Sequence, residues 1–173
     1  MAEDPGARQT TIGADEGVRE MVDQHGPAIY RLAVSIVRDP ALAEDVAQET
    51  FIMAWRHRDT YRGVAPLRHW LLRIAHNVAV STLRSLREEA RDPSTLPGGH
   101  AEVVESTVAN RMAVEEALSL LDPLSRSIVV LREMEGLSYA EIGQILGVAL
   151  PTVKTRLFRA RATLREIAGE VRS

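Results

Sequence analysis

From Glu16 to Arg38 the apolar residues Val18, Met21, Val22, Ile29, Leu32, Ala33, Ile36 and Val37 recur mostly at three- and four-residue steps, the spacing of one buried helix face. Gly26-Pro27 interrupts this run, which predicts a short helix, a kink and a longer helix. Asp39-Pro40 then offers an N-cap followed by proline at the first helical position. The helix it opens is expected to reach about Asp59, with Leu42, Val46, Thr50 and Met53 on one stripe and Ala43, Ala47, Phe51 and Ala54 beside it. Arg62–Pro66 reads as a loop, and Pro66 opens a third helix carrying Leu67, Trp70, Leu71, Ile74, Val78 and Leu86. Three such helices can close a small bundle.

From Glu88 to Thr107 large apolar side chains thin out while acids, Asp92-Pro93 and Pro97-Gly98-Gly99 accumulate, the composition of a flexible acidic linker. Helical spacing returns at Val114, Ala117, Leu118 and Leu121, and Asp122-Pro123 starts a further helix with Leu124, Ile128, Val129 and Leu131. Ser138 and Glu141 form a capping box at the head of a helix that ends at Gly147, and Pro151 lies in the first turn of the next. Ala140 and Gly143 are small where two helices must cross closely. Helix, short glycine-containing turn and second helix make a DNA-reading helix-turn-helix. No alternating strand pattern occurs, so the fold class is all-α: two small helical domains, a three- to four-helix N-terminal bundle and a C-terminal helix-turn-helix bundle, on a tether.

Composition narrows the chemistry. The chain has 173 residues, 45% hydrophobic and 26% charged, with no cysteine, so disulfides, thiolate metal sites and a cysteine nucleophile are excluded. The five histidines show no metal-ligand spacing, and neither a cofactor nor a metal is expected. No apolar run is long enough for a membrane span and no secretory leader is visible, which points to the cytoplasm. The net charge of −3 conceals a pattern: Met1–Thr60 carries −5, Tyr61–Arg87 +5, Glu88–Asp122 −6, Pro123–Leu150 −1 and Pro151–Ser173 +4. Two basic islands, one in each domain, are candidate DNA-contacting surfaces.

Ser138-Tyr139-Ala140-Glu141-Ile142-Gly143, followed by Thr152-Val153-Lys154-Thr155-Arg156-Leu157-Phe158-Arg159-Ala160-Arg161, resembles the fourth conserved domain of the extracytoplasmic-function (ECF) sigma factors of the sigma-70 family. Ala43-Glu44-Asp45-Val46-Ala47-Gln48-Glu49-Thr50-Phe51 and Trp70-Leu71-Leu72-Arg73-Ile74-Ala75-His76-Asn77 resemble that family's second domain, in the right order. The resemblance implies a promoter-specificity subunit that binds RNA polymerase core, recognises the minus-thirty-five and minus-ten elements and promotes DNA melting. It implies docking on the clamp of the largest subunit through Asp45, Gln48 and Glu49, with Asp39 and Glu44 adding to the field. It assigns minus-ten DNA to Tyr61, Arg62, Gly63, Arg73, His76, Asn77 and Arg84. It assigns minus-thirty-five DNA to Thr152, Lys154, Thr155, Arg156, Phe158, Arg159 and Arg161. The flap of the second-largest subunit and an anti-sigma factor are further implied partners, with the free chain a monomer. The implied layout is a disordered tail over 1–15, domain two over 16–87, the linker over 88–107 and domain four over 108–173.

Two other readings stay on the table. A stand-alone helix-turn-helix regulator accounts for Ser138 to Arg165 equally well but leaves the acid-free segment Tyr61–Arg87 unused. An enzyme built on Glu44, Asp45, Glu49 and His57 fits poorly, because adjacent carboxylates diverge on a helix and no nucleophile elbow or phosphate loop is present. The chain is therefore expected not to be an enzyme.

Overall fold

Glu16–Val37 forms α1, Pro40–Arg56 α2 and Leu67–Arg91 α3 in the computed structural model of the chain, which describes residues 16–91 and 116–170. The expected tail over 1–15 and most of the expected linker lie outside the described residues, while Glu88–Arg91 extend α3. Where a short helix, a kink and a longer helix were expected, a single helix α1 continues through Gly26-Pro27. A proline inside a helix costs about 3 kcal/mol, through the missing N–H and a ring clash. Met21 before it and Ile29, Leu32 and Ile36 after it are all buried. Each large aliphatic side chain fully removed from water contributes about 1.5–3 kcal/mol, so packing along both halves outweighs the defect.

Arg38 ends α1 in the left-handed region (φ 59°), its N–H donating to the Val34 carbonyl at 2.9 Å. The chain then turns at once into α2, where the Asp39 carboxylate accepts the Leu42 N–H at 3.0 Å. α2 stops at Arg56, short of Asp59, and Arg58–Thr60 tightens into a 3₁₀ turn. The His57 N–H on Met53 O and the Thr60 hydroxyl on His57 O take up the carbonyls that a longer helix would have used. Ala43, Val46, Thr50, Phe51 and Ala54 from α2 close on Leu71, Leu72, Ala75 and Ala79 from α3 and on the buried stripe of α1. Thr50, inside this core, donates its hydroxyl to Val46 O at 2.7 Å.

The C-terminal domain begins with a helical stretch ending at residue 119. α4 (Pro123–Val129) follows, capped by Asp122, which accepts the Leu124 and Ser125 N–H groups at 3.1 Å each. α4 runs into a π-helical turn, Val130–Met134, and Gly136 (φ 69°) reverses the chain toward α5 (Tyr139–Leu146) and α6 (Leu150–Glu170). Ile128, Leu131, Ile142, Ile145, Val153, Leu157 and Ala160 form the buried centre.

The two domains are in contact. Their apolar cores run together into one cluster, and α1 and α3 face α4, the π-turn and α5. The Glu135 carboxylate, just beyond the π-turn, is gripped by Arg31 of α1 (Nε to Oε1 2.8 Å, Nη2 to Oε2 3.3 Å) and by Arg68 of α3. Arg126 of α4 donates to the Ile36 and Ser35 carbonyls at the end of α1, at 2.9 and 3.4 Å, where a cation also suits the helix dipole. His76 Nδ1 lies 3.0 Å from the Ser127 hydroxyl. Among the described residues no buried side-chain polar atom lacks a partner.

Candidate nucleic-acid interface

On α2 the side chains not needed for the core form a continuous stripe. Glu44, Asp45, Gln48 and Glu49 are all exposed, with Ile52 at the end of the same face. Asp39 lies apart from them, half-buried and engaged as the cap of α2. The stripe carries negative charge on a rigid helix, a surface suited to a basic partner helix.

The loop between α2 and α3 is built around Tyr61. Its ring packs on Trp70 (centroids 5.2 Å apart, planes tilted by 35°) and its hydroxyl donates to Ala65 O at 2.8 Å. That bond closes a short loop in which Gly63 takes φ 69° and Arg62, Gly63 and Val64 project outward, Val64 with 92% of its surface exposed. Tyr61 is thus a fastener of the loop as well as part of its wall. On α3, Arg73, Asn77 and Arg84 are exposed at four- and seven-residue steps, so they share one face. Asn77 also lines an open groove of about 650 Å³ between α2 and α3, together with Glu49, Met53, Val78 and Ser81. His76 does not join this face: it is only 8% exposed and turned toward Ser127. One residue along a helix is a rotation of about 100°, which takes His76 off the Asn77 stripe and into the junction. Burial holds its pKa below the usual histidine value.

The helix-turn-helix is positioned by local chemistry. Ser138 Oγ accepts the Glu141 N–H at 3.2 Å and Glu141 Oε2 accepts the Ser138 N–H at 2.7 Å. Those bonds, and the nearby His69, keep the Glu141 carboxyl below its ordinary pKa. Gly147 takes φ 67° at the end of α5, and the Val148 N–H returns to Gly143 O at 3.0 Å. Gly143 is small for the sake of this turn: a β-carbon there would lie 2.8 Å from Val148 O. Arg132 braces the entry to α5, stacked over the Tyr139 ring and donating to Leu137 O at 2.9 Å.

α6 presents Lys154, Thr155, Phe158 and Arg159 to solvent, with Thr152 half-buried at its first turn, and Phe158 is 72% exposed. A ring left this open on a basic helix is free to meet a partner surface. Arg156 and Arg161 differ from these. Arg156 is held by Asp122 at 2.8 Å and by the Ser125 hydroxyl at 3.2 Å, and Arg161 chelates Glu133 at 2.9 and 2.5 Å. The Asp122 carboxyl is pushed up by burial, but its bonds to Ser125 and Leu124 and the Arg156 charge prevail and bring its pKa down. The Glu133 hydrogen bond raises that of Arg161. Among the described residues no group of histidines and carboxylates could hold a metal ion.

Residues 21–89 match the family model for Sigma-70 region 2, and residues 111–164 match that for Sigma-70, region 4. The chain is 32% identical over 163 residues to the RNA polymerase sigma factor CarQ of Myxococcus xanthus, covering 92% of this chain and 93% of CarQ. The chain belongs to the ECF sigma factors. A second relative, the ECF RNA polymerase sigma factor SigL of Mycobacterium tuberculosis, is 33% identical over 159 residues, with 87% and 90% of the two chains covered. The fold matches a sigma factor, RpoE, solved in complex with the anti-sigma factor NepR from Bartonella quintana, with a TM-score of 0.77 at 26% identity over 87% of this chain and 96% of that one. In this sigma factor the region 2 match falls on α1–α3 and the region 4 match on the C-terminal helices. No helix among the described residues is long and apolar enough to cross a membrane.

The residues that tie the two domains together, Arg31, Arg68, Arg126 and Glu135, carry no signal in motif or periodicity.

Proposed function

We propose that the chain directs RNA polymerase core to promoters through three surfaces on three helices. The acidic stripe Glu44, Asp45, Gln48 and Glu49 of α2, with Asp39 behind it, docks on the clamp of the largest subunit. The loop at Tyr61, Arg62 and Gly63, with Arg73, Asn77 and Arg84 of α3, takes the non-template strand of the minus-ten element and favours its melting. Pockets for unstacked bases and cations for their phosphates are what strand separation needs. Lys154, Thr155, Phe158 and Arg159 of α6 read the minus-thirty-five element in the major groove, with Thr152 at its edge. Arg156 and Arg161 act at the phosphates only after leaving Asp122 and Glu133.

The observation that carries this reading is the division of exposed side chains: acids on α2, cations with an amide on α3, and cations with a bare aromatic on α6. A free chain of net charge −3 binds duplex DNA weakly at physiological salt. Polymerase converts two weak contacts into one bivalent grip, and the flap of the second-largest subunit holds region 4. The chain is a monomeric binding factor with no catalysis of its own, and it acts in the cytoplasm. Residues 16–91 and 108–173 are the working domains, α3 reaching Arg91, and 92–107 the tether. An anti-sigma factor is its regulator, a reading supported by the match to RpoE in complex with NepR.

The test is transcription in vitro with sigma-free core on promoters from a genome encoding this chain. Specific initiation lost on Lys154→Ala with Thr155→Ala supports the proposal. Tight duplex binding without core and no initiation on any template would move the assignment to a stand-alone regulator.

A further inference from the structure

Neither Arg31 nor Arg68 belongs to the surfaces assigned above, yet both converge on one carboxylate. Glu135 contributes a side chain only 1% exposed, while those of Arg31 and Arg68 remain 39% and 37% exposed. The cations thus form the rim of a site on the N-terminal domain, and the anion, supplied by the C-terminal domain, plugs it. Without the plug two guanidinium groups would stand side by side unneutralised, with His25 near enough to feel the Arg68 charge. The plug is aimed by its backbone: the Glu135 N–H returns to Val130 O at 3.1 Å, closing the π-turn, and Gly136 at φ 69° turns the chain away. π-turns are rare and frequently lie at functional sites. Arg126 on the Ser35 and Ile36 carbonyls and His76 on Ser127 fix the same two surfaces a short distance away.

We propose that Arg31 and Arg68 form a carboxylate-binding site which captures Glu135 of the same chain, and that this capture latches the free sigma factor in a closed state unable to span a promoter. Elements named minus thirty-five and minus ten lie about 25 base pairs apart, or about 85 Å along B-form DNA. A body of roughly 130 residues sharing one core is about 40 Å across. α6 and the Asn77 face of α3 therefore cannot both reach their elements until the junction opens. Core polymerase, by fixing the two domains apart, competes with the Glu135 contact. The inhibitory consequence rests on the promoter-reading role proposed above, whereas the closure rests on the junction alone.

The experiment uses the full chain. It has no native cysteine, so Ser81→Cys and Glu166→Cys, both at exposed positions, take one donor and one acceptor dye. The parent chain is expected to show one dominant transfer efficiency. Glu135→Gln should move molecules to lower transfer, raising the open fraction about tenfold, a value discounted for the solvent that reaches both arginines. Arg31→Ala with Arg68→Ala attacks the site from the other domain and should do the same, with helicity by circular dichroism retained. Half-maximal initiation with core should then need less of the unlabelled Glu135→Gln chain, again by about tenfold. Unchanged transfer in both variants would overturn the latch. Wider dye separation with unchanged initiation would overturn its inhibitory role. Failure of every chain to initiate on any promoter, with the dye result as expected, would remove the sigma reading and leave the closure standing.

Discussion

Gly143→Ala tests whether the helix-turn-helix is held as described, because two effects of opposite sign meet at one atom. Alanine inside a helix is favoured over glycine by about 1 kcal/mol, so propensity alone predicts a gain. The new β-carbon would lie 2.8 Å from Val148 O, a backbone atom, and 3.8 Å from Val153 Cγ2. Relief requires the 147–149 turn to move, which weakens the Val148 N–H bond to Gly143 O, now 3.0 Å. Overpacking of this kind costs about 1–3 kcal/mol and the bond about 1 kcal/mol. The net expectation is a loss of about 1–3 kcal/mol, or a fall in melting temperature of roughly 2–12 °C for a chain of this size. Gly169→Ala is the control, for a β-carbon there meets nothing within 4 Å; it should be neutral or stabilising by up to about 1 kcal/mol. Thermal and urea unfolding followed by circular dichroism measure both, and duplex binding to a minus-thirty-five site reports the misplacement of α6. A Gly143→Ala chain that is more stable than the parent and binds as well would refute the close approach.

Phe158→Ala should change stability by less than about 0.5 kcal/mol, since the ring is 72% exposed, while initiation at minus-thirty-five-dependent promoters falls; a drop in melting temperature instead would mean that the ring packs. Ser138→Ala removes one half of the capping box and should cost about 1 kcal/mol in urea unfolding. The depressed Glu141 carboxyl makes the other half of the box a contribution present above the ordinary glutamate pKa and lost as pH falls through the lower folded value, so helicity of α5 should weaken in acid. His76 has a folded pKa lowered from 6.5 by burial, so the unfolded chain binds the proton first. Its contribution is complete above that pH and is lost as pH falls below it; His76→Gln should flatten the difference in stability between pH 7.5 and 5.5, and an unaltered slope would contradict the burial.

Most of the architecture was legible because it is local. Of the stripes predicted for α2, Ala43, Val46, Thr50, Phe51 and Ala54 are buried while Leu42, Ala47 and Met53 lie half-buried at their edges; the capping box at Ser138 and Glu141 forms both bonds, and Gly147 takes the left-handed turn. α1 departs from the expectation at Pro27 because tertiary burial of Met21, Ile29 and Leu32 overrides a local breaker. The site was legible by face rather than by residue. Arg73, Asn77 and Arg84 share an exposed stripe, yet His76, adjacent in sequence, is drawn into the junction. Arg156 and Arg161 stand on α6 among the residues expected to reach DNA but are committed to Asp122 and Glu133. The junction itself was illegible: Arg31 and Arg68 meet Glu135 across 104 and 67 residues, and no helical period reports a contact at such separations. The π-turn that aims Glu135 likewise has no signature in residue type.

The central claim is that α3 and its Tyr61-fastened loop open promoter DNA when polymerase brings them to it. Permanganate reactivity of thymines around the minus-ten element, in the presence of core and this chain, tests that claim most directly. A melted bubble with the parent chain, lost on Asn77→Ala and weakened on Arg62→Ala, is the result predicted. Protection of the minus-thirty-five duplex with no reactive thymine under any condition would contradict it.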